Sequence, residues 1–209
     1  MPEKLGLYIH IPFCRSKCDY CDFYSLAGRE ERMDDYQKAL LAHMKETAPL
    51  TRGWQVDTVY FGGGTPSVFG AKRLCRVLEK VKEQFNVAEN AEITTECNPA
   101  DVDVSFFETL KRGGFNRISM GMQSANEAEL KILGRRHTAE TVREAVEAAR
   151  GEDVHRVGDV GLGIQEPEAG LAPHGNHGLV QRRLSGEHAV DAVARVRAKH
   201  AGEGTAAEV

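Results

Sequence analysis

The sequence predicts an α/β fold in which parallel strands are each followed by a covering helix. Four short runs rich in β-branched and aromatic residues, at 7–11, 58–61, 92–96 and 117–120, read as strands. Segments of helical period lie between and after them. The alternating order predicts a parallel sheet with crossover helices. Residues 35–45 put Tyr36, Ala39, Leu40 and Met44 on one helical face, and 73–85 do the same with Leu74, Val77, Leu78, Val81 and Phe85. Two shorter helices are expected at 106–111 and 138–150, the latter with Thr138, Thr141 and Glu144 as its start signal.

In such a sheet, reactive groups gather at the carboxyl ends of the strands. The first strand leads into Cys14, Cys18 and Cys21, and the second into Gly62-Gly63-Gly64-Thr65-Pro66. The third ends in Glu96-Cys97-Asn98-Pro99, and the fourth in Gly121-Met122-Gln123-Ser124. Polar or glycine-rich exits on one rim predict one site.

Composition bounds the partners. A net charge of −4 gives no electrostatic reason to expect nucleic acid or an anionic membrane. No apolar run approaches the roughly 18 residues of a membrane span. The N-terminus lacks the basic and then apolar regions of a leader, so a cytoplasmic protein is expected. In that compartment five cysteines are expected as ligands or buried thiols, not disulfides.

Thiolates at Cys14, Cys18 and Cys21 can wrap one corner of a 4Fe–4S cluster and leave the fourth iron open. Two other readings stand beside this one: zinc, with His10 or Cys97 as fourth ligand, and buried thiols without a metal. The spacing favours the cluster, because structural zinc sites usually pair their cysteines twice over. The glycine run lets backbone approach a ligand closely, or simply makes a tight turn. Glu96 can accept hydrogen bonds from an amino or ribose group, or be a solvated charge. Gln123 offers a donor and an acceptor to a ribose, or partners its own turn. Cys75 and Cys97 are expected to be unliganded thiols.

The run Tyr8-Ile-His-Ile-Pro-Phe-Cys14, continued by Cys18, Cys21 and Gly62-Gly-Gly-Thr-Pro66, resembles the radical S-adenosylmethionine family of oxygen-independent coproporphyrinogen oxidases. It is more similar to their HemW-type relatives, the haem chaperones. The resemblance covers about residues 5–150 and implies a partial (β/α) radical SAM barrel with a 4Fe–4S cluster and S-adenosyl-L-methionine. In such proteins an electron from the cluster cleaves the sulfonium, releasing methionine and a 5′-deoxyadenosyl radical. By position it implies Gly63, Gly64 and Thr65 at the methionine end of the cofactor, Arg135 near it, and Tyr8 and Tyr20 against cofactor or cluster. Haem or porphyrin is the implied ligand, and haem-accepting respiratory proteins the implied partners. The oxidases carry a further cysteine two positions after the third ligand; here Phe23 stands there. This departure favours the chaperone over porphyrinogen decarboxylation.

The composition changes near residue 150. All fourteen aromatic residues lie at or before Phe115, whereas residues 151–209 hold 10 of the 21 glycines and 5 of the 8 histidines. That stretch is expected to be an atypical, weakly structured terminus, replaced or out of frame, which leaves a barrel of four strands. Asp159, near the place of a family ribose contact, and His174 with His177 are not assigned roles.

Overall fold

The computed structural model describes residues 2–151 and 157–158. Strand β1 (Glu3–Ile11) leads into two-residue strands β2 (Phe13–Cys14) and β3 (Leu26–Ala27), then helix α1 (Met33–Thr47). Next come β4 (Trp54–Gly63), the short α2 (Pro66–Phe69), α3 (Ala71–Gln84) and β5 (Val87–Cys97). Helix α4 (Val104–Gly113), β6 (Arg117–Met120), α5 (Glu127–Ile132), α6 (Ala139–Gly151) and β7 (Val157–Gly158) complete the described chain. The main sheet has the order β1-β4-β5-β6-β7, and every pair in it is parallel. This is the expected architecture.

Register separates the two faces of the sheet. Paired residues of parallel strands point to the same side, and side chains alternate along each strand. Ile9 pairs with Phe61, Phe61 with Thr95 and Thr95 with Ile118. All four are buried, as are Ile11, Val59, Ile93, Cys97 and Met120 of the same parity. The other face carries Tyr8, Tyr60, Thr94 and Arg117 in register, then Glu96 opposite Ser119.

Helices cover the apolar face because their own apolar stripes match it. Leu74, Val77, Leu78 and Val81 of α3 are buried, as are Phe106, Phe107 and Leu110 of α4 and Val142, Ala145 and Ala149 of α6. Caps fix where these helices begin. Asp103 accepts from Phe106 N–H at 2.8 Å, and the Thr138 hydroxyl accepts from Thr141 N–H at 3.1 Å.

The first three main strands run longer than expected. Their amino-terminal parts carry Glu3, Lys4, Gln55, Asp57 and Glu89, which interrupt the apolar run; Glu3, Lys4 and Gln55 are paired in the ladder, while Asp57 and Glu89 lie at irregularities in its register. Helix α5 has no counterpart in the expected order. Its six residues bury only Leu130, too little to show a period, and Asn126 starts it by accepting from Ala128 N–H. Strand β7 lies beyond residue 150 and gives the sheet a fifth parallel member, pairing Ile118 with Val157 and Ser119 with Gly158. The exposed amides and carbonyls of the β6 edge are the driving force for that pairing. The other expectations for 151–209, those on Asp159, His174 and His177 included, lie outside the described residues. Among the described residues, no helix is long and apolar enough to cross a membrane.

Leu78 is wholly buried at the centre of α3. Leu78→Ala is expected to lower the unfolding free energy by about 2–5 kcal/mol, measured by urea denaturation. A loss below about 1 kcal/mol would mean that α3 is not packed on the sheet as described.

Candidate functional site

The loop that carries the cysteines is closed at its base by backbone. Phe13 pairs with Leu26 and Cys14 with Ala27. Leu26 N–H donates to Pro12 O at 2.6 Å and Gly28 N–H to Cys14 O at 3.0 Å. Cys18 and Cys21 ride on the enclosed excursion and share one turn, Cys21 N–H to Cys18 O at 3.0 Å. Phe13 anchors the base from below, stacking on Phe69 at 5.7 Å and meeting the edge of Tyr36 at 5.3 Å. All three thiols are free; Cys14 is buried, while Cys18 and Cys21 are half-buried. Burial pushes the Cys14 thiol up, and the Thr65 hydroxyl, 3.4 Å from its sulfur, pulls it back down.

The glycine run joins the second strand exit to this loop. Gly64 N–H donates to Ile11 O at 2.8 Å and Thr65 N–H to Phe13 O at 2.7 Å. A Cβ on Gly64 would lie 2.8 Å from Phe13 O and from Pro12 C, too close for any side chain. Gly63 adopts φ +116, with the His10 ring 2.5 Å from where its Cβ would be. The glycines therefore serve the chain's own packing, and they bring Thr65 against Cys14.

Glu96 projects from the polar face and is mostly enclosed. Tyr60 OH donates to its Oε1 at 2.8 Å and Gly63 N–H to its Oε2 at 3.2 Å. Both partners are neutral. Burial raises the carboxyl's pKa, and these two hydrogen bonds only partly restrain it. Tyr8 stacks on Tyr60 at 6.1 Å, and burial raises the pKa of both phenols. Tyr60, which the sequence reading passes over, is thus what holds Glu96; strand parity with Tyr8 was the available signal. The Tyr8 hydroxyl lies 3.4 Å from His10 Nδ1, and His10 Nε2 lies 3.1 Å from Tyr24 O.

Gln123 and Arg135 close the rim. Gln123 is the one non-glycine among the described residues with positive φ, +69. Holding glutamine there is strained, as is common at ligand-binding turns. Arg135 Nη2 donates to Gly121 O at 2.8 Å, while Nη1 lies 3.3 Å from Tyr20 OH and 3.7 Å from Cys18 Sγ. Its Nε is buried and has no partner among the described residues. Tyr20 itself remains about half exposed.

Among the described residues, no three His, Cys, Asp or Glu side chains converge as ligands of a single metal ion. In a cubane each thiolate would bond its own iron, so three cysteines on one loop suit a cluster without meeting on a single ion. Cys97 sits on the apolar, helix-covered face opposite Met120, and burial raises its pKa. Cys75 donates to Thr109 O between α3 and α4, away from the rim.

Comparison with known proteins supplies a family. The model of the radical SAM superfamily matches residues 8–170. The chain is similar to the heme chaperone HemW of Escherichia coli, 42% identical over 148 residues, covering 70% of this chain and 39% of that protein. The oxygen-independent coproporphyrinogen III oxidase of the same organism is 32% identical over 151 residues, covering 71% of this chain and 33% of that one. In structure, the chain is similar to coproporphyrinogen III oxidase (HemN) from Escherichia coli, a radical SAM enzyme, with a TM-score of 0.67 and 30% identity. That match covers 72% of this chain and 35% of the other. The chain therefore spans about two fifths or less of these relatives.

The raised pKa of Glu96 has a consequence for stability. The folded protein holds this proton more tightly than the unfolded chain, so the contribution is full below the unfolded carboxyl's pKa and is lost as pH rises through the folded one. Glu96→Gln keeps the partners and removes the charge. The variant is expected to unfold at an equal or higher urea concentration at pH 8, its advantage shrinking toward pH 4. A variant less stable than the parent at pH 8 would show that the ionised carboxylate stabilises the fold.

Proposed function

The chain belongs to the radical SAM superfamily, and from that premise we propose that it is the cluster- and cofactor-holding part of a HemW-type haem chaperone. The core comprises residues 1–150 together with β7. The observation that carries the reading is the cysteine loop, pinned at its base and joined through Gly64 and Thr65 to the next strand exit. Cys14, Cys18 and Cys21 would hold three irons of a 4Fe–4S cluster. When bound, the cluster and S-adenosyl-L-methionine supply one-electron cleavage of a sulfonium.

The protein's own groups fit that cofactor by charge. Its methionine end is a zwitterion. Arg135 keeps a buried Nε–H without a partner, suited to a carboxylate, and Glu96 has only neutral partners, suited to an ammonium. Gly63, Gly64 and Thr65 would border the methionine end, and Gln123 would meet the ribose. Tyr8 and Tyr20 flank the same space and exclude water from it.

Haem enters the proposal through the HemW relative, a haem chaperone. Haem-accepting respiratory proteins are its proposed partners, and a reducing cytoplasm, which preserves free thiols, its compartment. The second reading, coproporphyrinogen oxidation, is favoured by the 32% identical relative and disfavoured by Phe23, which places an exposed phenyl where those enzymes carry a thiol.

Anaerobic reconstitution of the full chain is expected to yield about four irons and as many sulfides, with an EPR signal that changes on adding S-adenosyl-L-methionine. Replacing Cys14, Cys18 or Cys21 by serine should each abolish the cluster, whereas Cys75→Ser and Cys97→Ser should retain it. Zinc in place of iron, or a spectrum indifferent to the cofactor, defeats the proposal. Haem titration and an anaerobic decarboxylation assay then separate its two branches.

A further inference from the structure

The turn after α5 holds the cysteine loop by contacts that do not involve the thiols. Gly134 adopts φ +65, and a Cβ there would lie 3.3 Å from Asp19 Oδ2 on the loop. Two residues on, Arg136 Nη2 donates to both Oδ1 and Oδ2 of Asp101 at 2.8 Å. Arg15, the residue after Cys14, donates from Nε to the same Oδ1 at 2.8 Å. Asp101 ends the 3₁₀ turn Pro99–Asp101 that leaves β5, and Asn98 caps that turn by accepting from Ala100 N–H. The Asp101 side chain is 2% exposed, whereas Arg15 and Arg136 are 55% and 37% exposed.

One buried carboxylate thus joins three segments: the cysteine loop, the exit of β5 and the turn between α5 and α6. The loop needs such an anchor. Among the described residues, its interior has one backbone hydrogen bond of its own, Cys21 N–H to Cys18 O. The stretch between Cys14 and Cys18 has none, so its shape depends on side chains. A desolvated carboxylate shared by two guanidinium groups is a directional tether, because each charge-assisted hydrogen bond fixes the orientation of its partner.

We propose that Asp101 is a positioning residue for the iron–sulfur cluster: with Arg15 and Arg136 it fixes the Cys14–Cys18 segment, so that the thiolates are pre-spaced for the metal. This rests on the cluster reading above. Asp101 touches neither thiol nor cofactor and acts through Arg15. The turn that carries Arg136 also carries Arg135, so the tether sets the distance between the cofactor-facing guanidinium and Cys18.

The test uses the full chain, reconstituted anaerobically, with iron release to a chelator followed by absorbance. Asp101→Asn is expected to speed release roughly tenfold or more, the usual scale when a residue behind a metal ligand is lost. Asp101→Asn takes a buried charge from two guanidinium partners and is therefore also expected to lower the cluster-free urea midpoint. Arg15→Gln, which leaves Asp101 paired with Arg136, should speed release to the same extent with the cluster-free urea midpoint at the parent value, a result that a merely structural carboxylate would not give. The double variant should be no faster than either single one, as expected of one coupled unit. Unchanged release in either variant, a fall in the cluster-free stability of Arg15→Gln that accounts for its faster release, or additive effects of the two variants would each overturn the inference. A parent protein that takes up no cluster fails earlier and defeats the cluster reading as well.

Discussion

Two backbone hydrogen bonds, Gly64 N–H to Ile11 O and Thr65 N–H to Phe13 O, decide where the rest of the site lies. They bring the exit of β4 against the end of β1 so closely that position 64 can hold no Cβ. Everything on the rim inherits this contact. Thr65 reaches the Cys14 sulfur, Gly63 presents its amide to Glu96, and Phe13 is pressed onto Phe69 and Tyr36. The glycine run is therefore a structural joint first. Its use by a ligand, as proposed, builds on a geometry that the chain already requires.

The sheet explains how such a rim can be both stable and polar. A purely parallel sheet is normally covered on both faces, and its strands read as continuous apolar runs. Here one face is apolar and helix-covered, while the other carries Tyr8, Tyr60, Thr94, Glu96 and Arg117. The polar side chains satisfy one another: Tyr60 with Glu96, and Arg117 Nη1 with Thr94 Oγ1 at 3.4 Å. That division suits a barrel wall whose inner side faces a ligand. It also explains why Cys97, one residue after Glu96, belongs to the core and not to the site.

What the sequence revealed depended on how local the signal was. The four strand exits were legible because β-branched runs end in glycine, cysteine or proline within a few residues. The cysteine spacing was legible for the same reason. The strands extend beyond their apolar runs where charged residues such as Glu3 and Lys4 pair in the ladder, since pairing there is decided by the neighbouring strand. Helix α5 was too short to show a period. Tyr60 with Glu96, Arg15 with Asp101 and Arg136 with Asp101 join residues 36, 86 and 35 positions apart. No window along the chain contains both members of such a pair, so only the folded geometry displays them.

Glu96 and Arg135 bear on each other through what each lacks. A buried carboxylate with neutral partners destabilises a fold relative to an amide of the same shape, and a buried guanidinium N–H without an acceptor does the same. Among the described residues they have separate partners: Glu96 accepts from Tyr60 and Gly63 and keeps free lone pairs, while the Nη atoms of Arg135 meet Tyr20, Cys18 and Gly121. Opposite unmet charges on one rim are what a zwitterion completes, and an amino-acid end group carries both signs at a fixed short spacing. On the proposed reading, the stability forgone at these two positions is recovered only with the cofactor in place, which makes occupancy of the site and rigidity of the rim a single property.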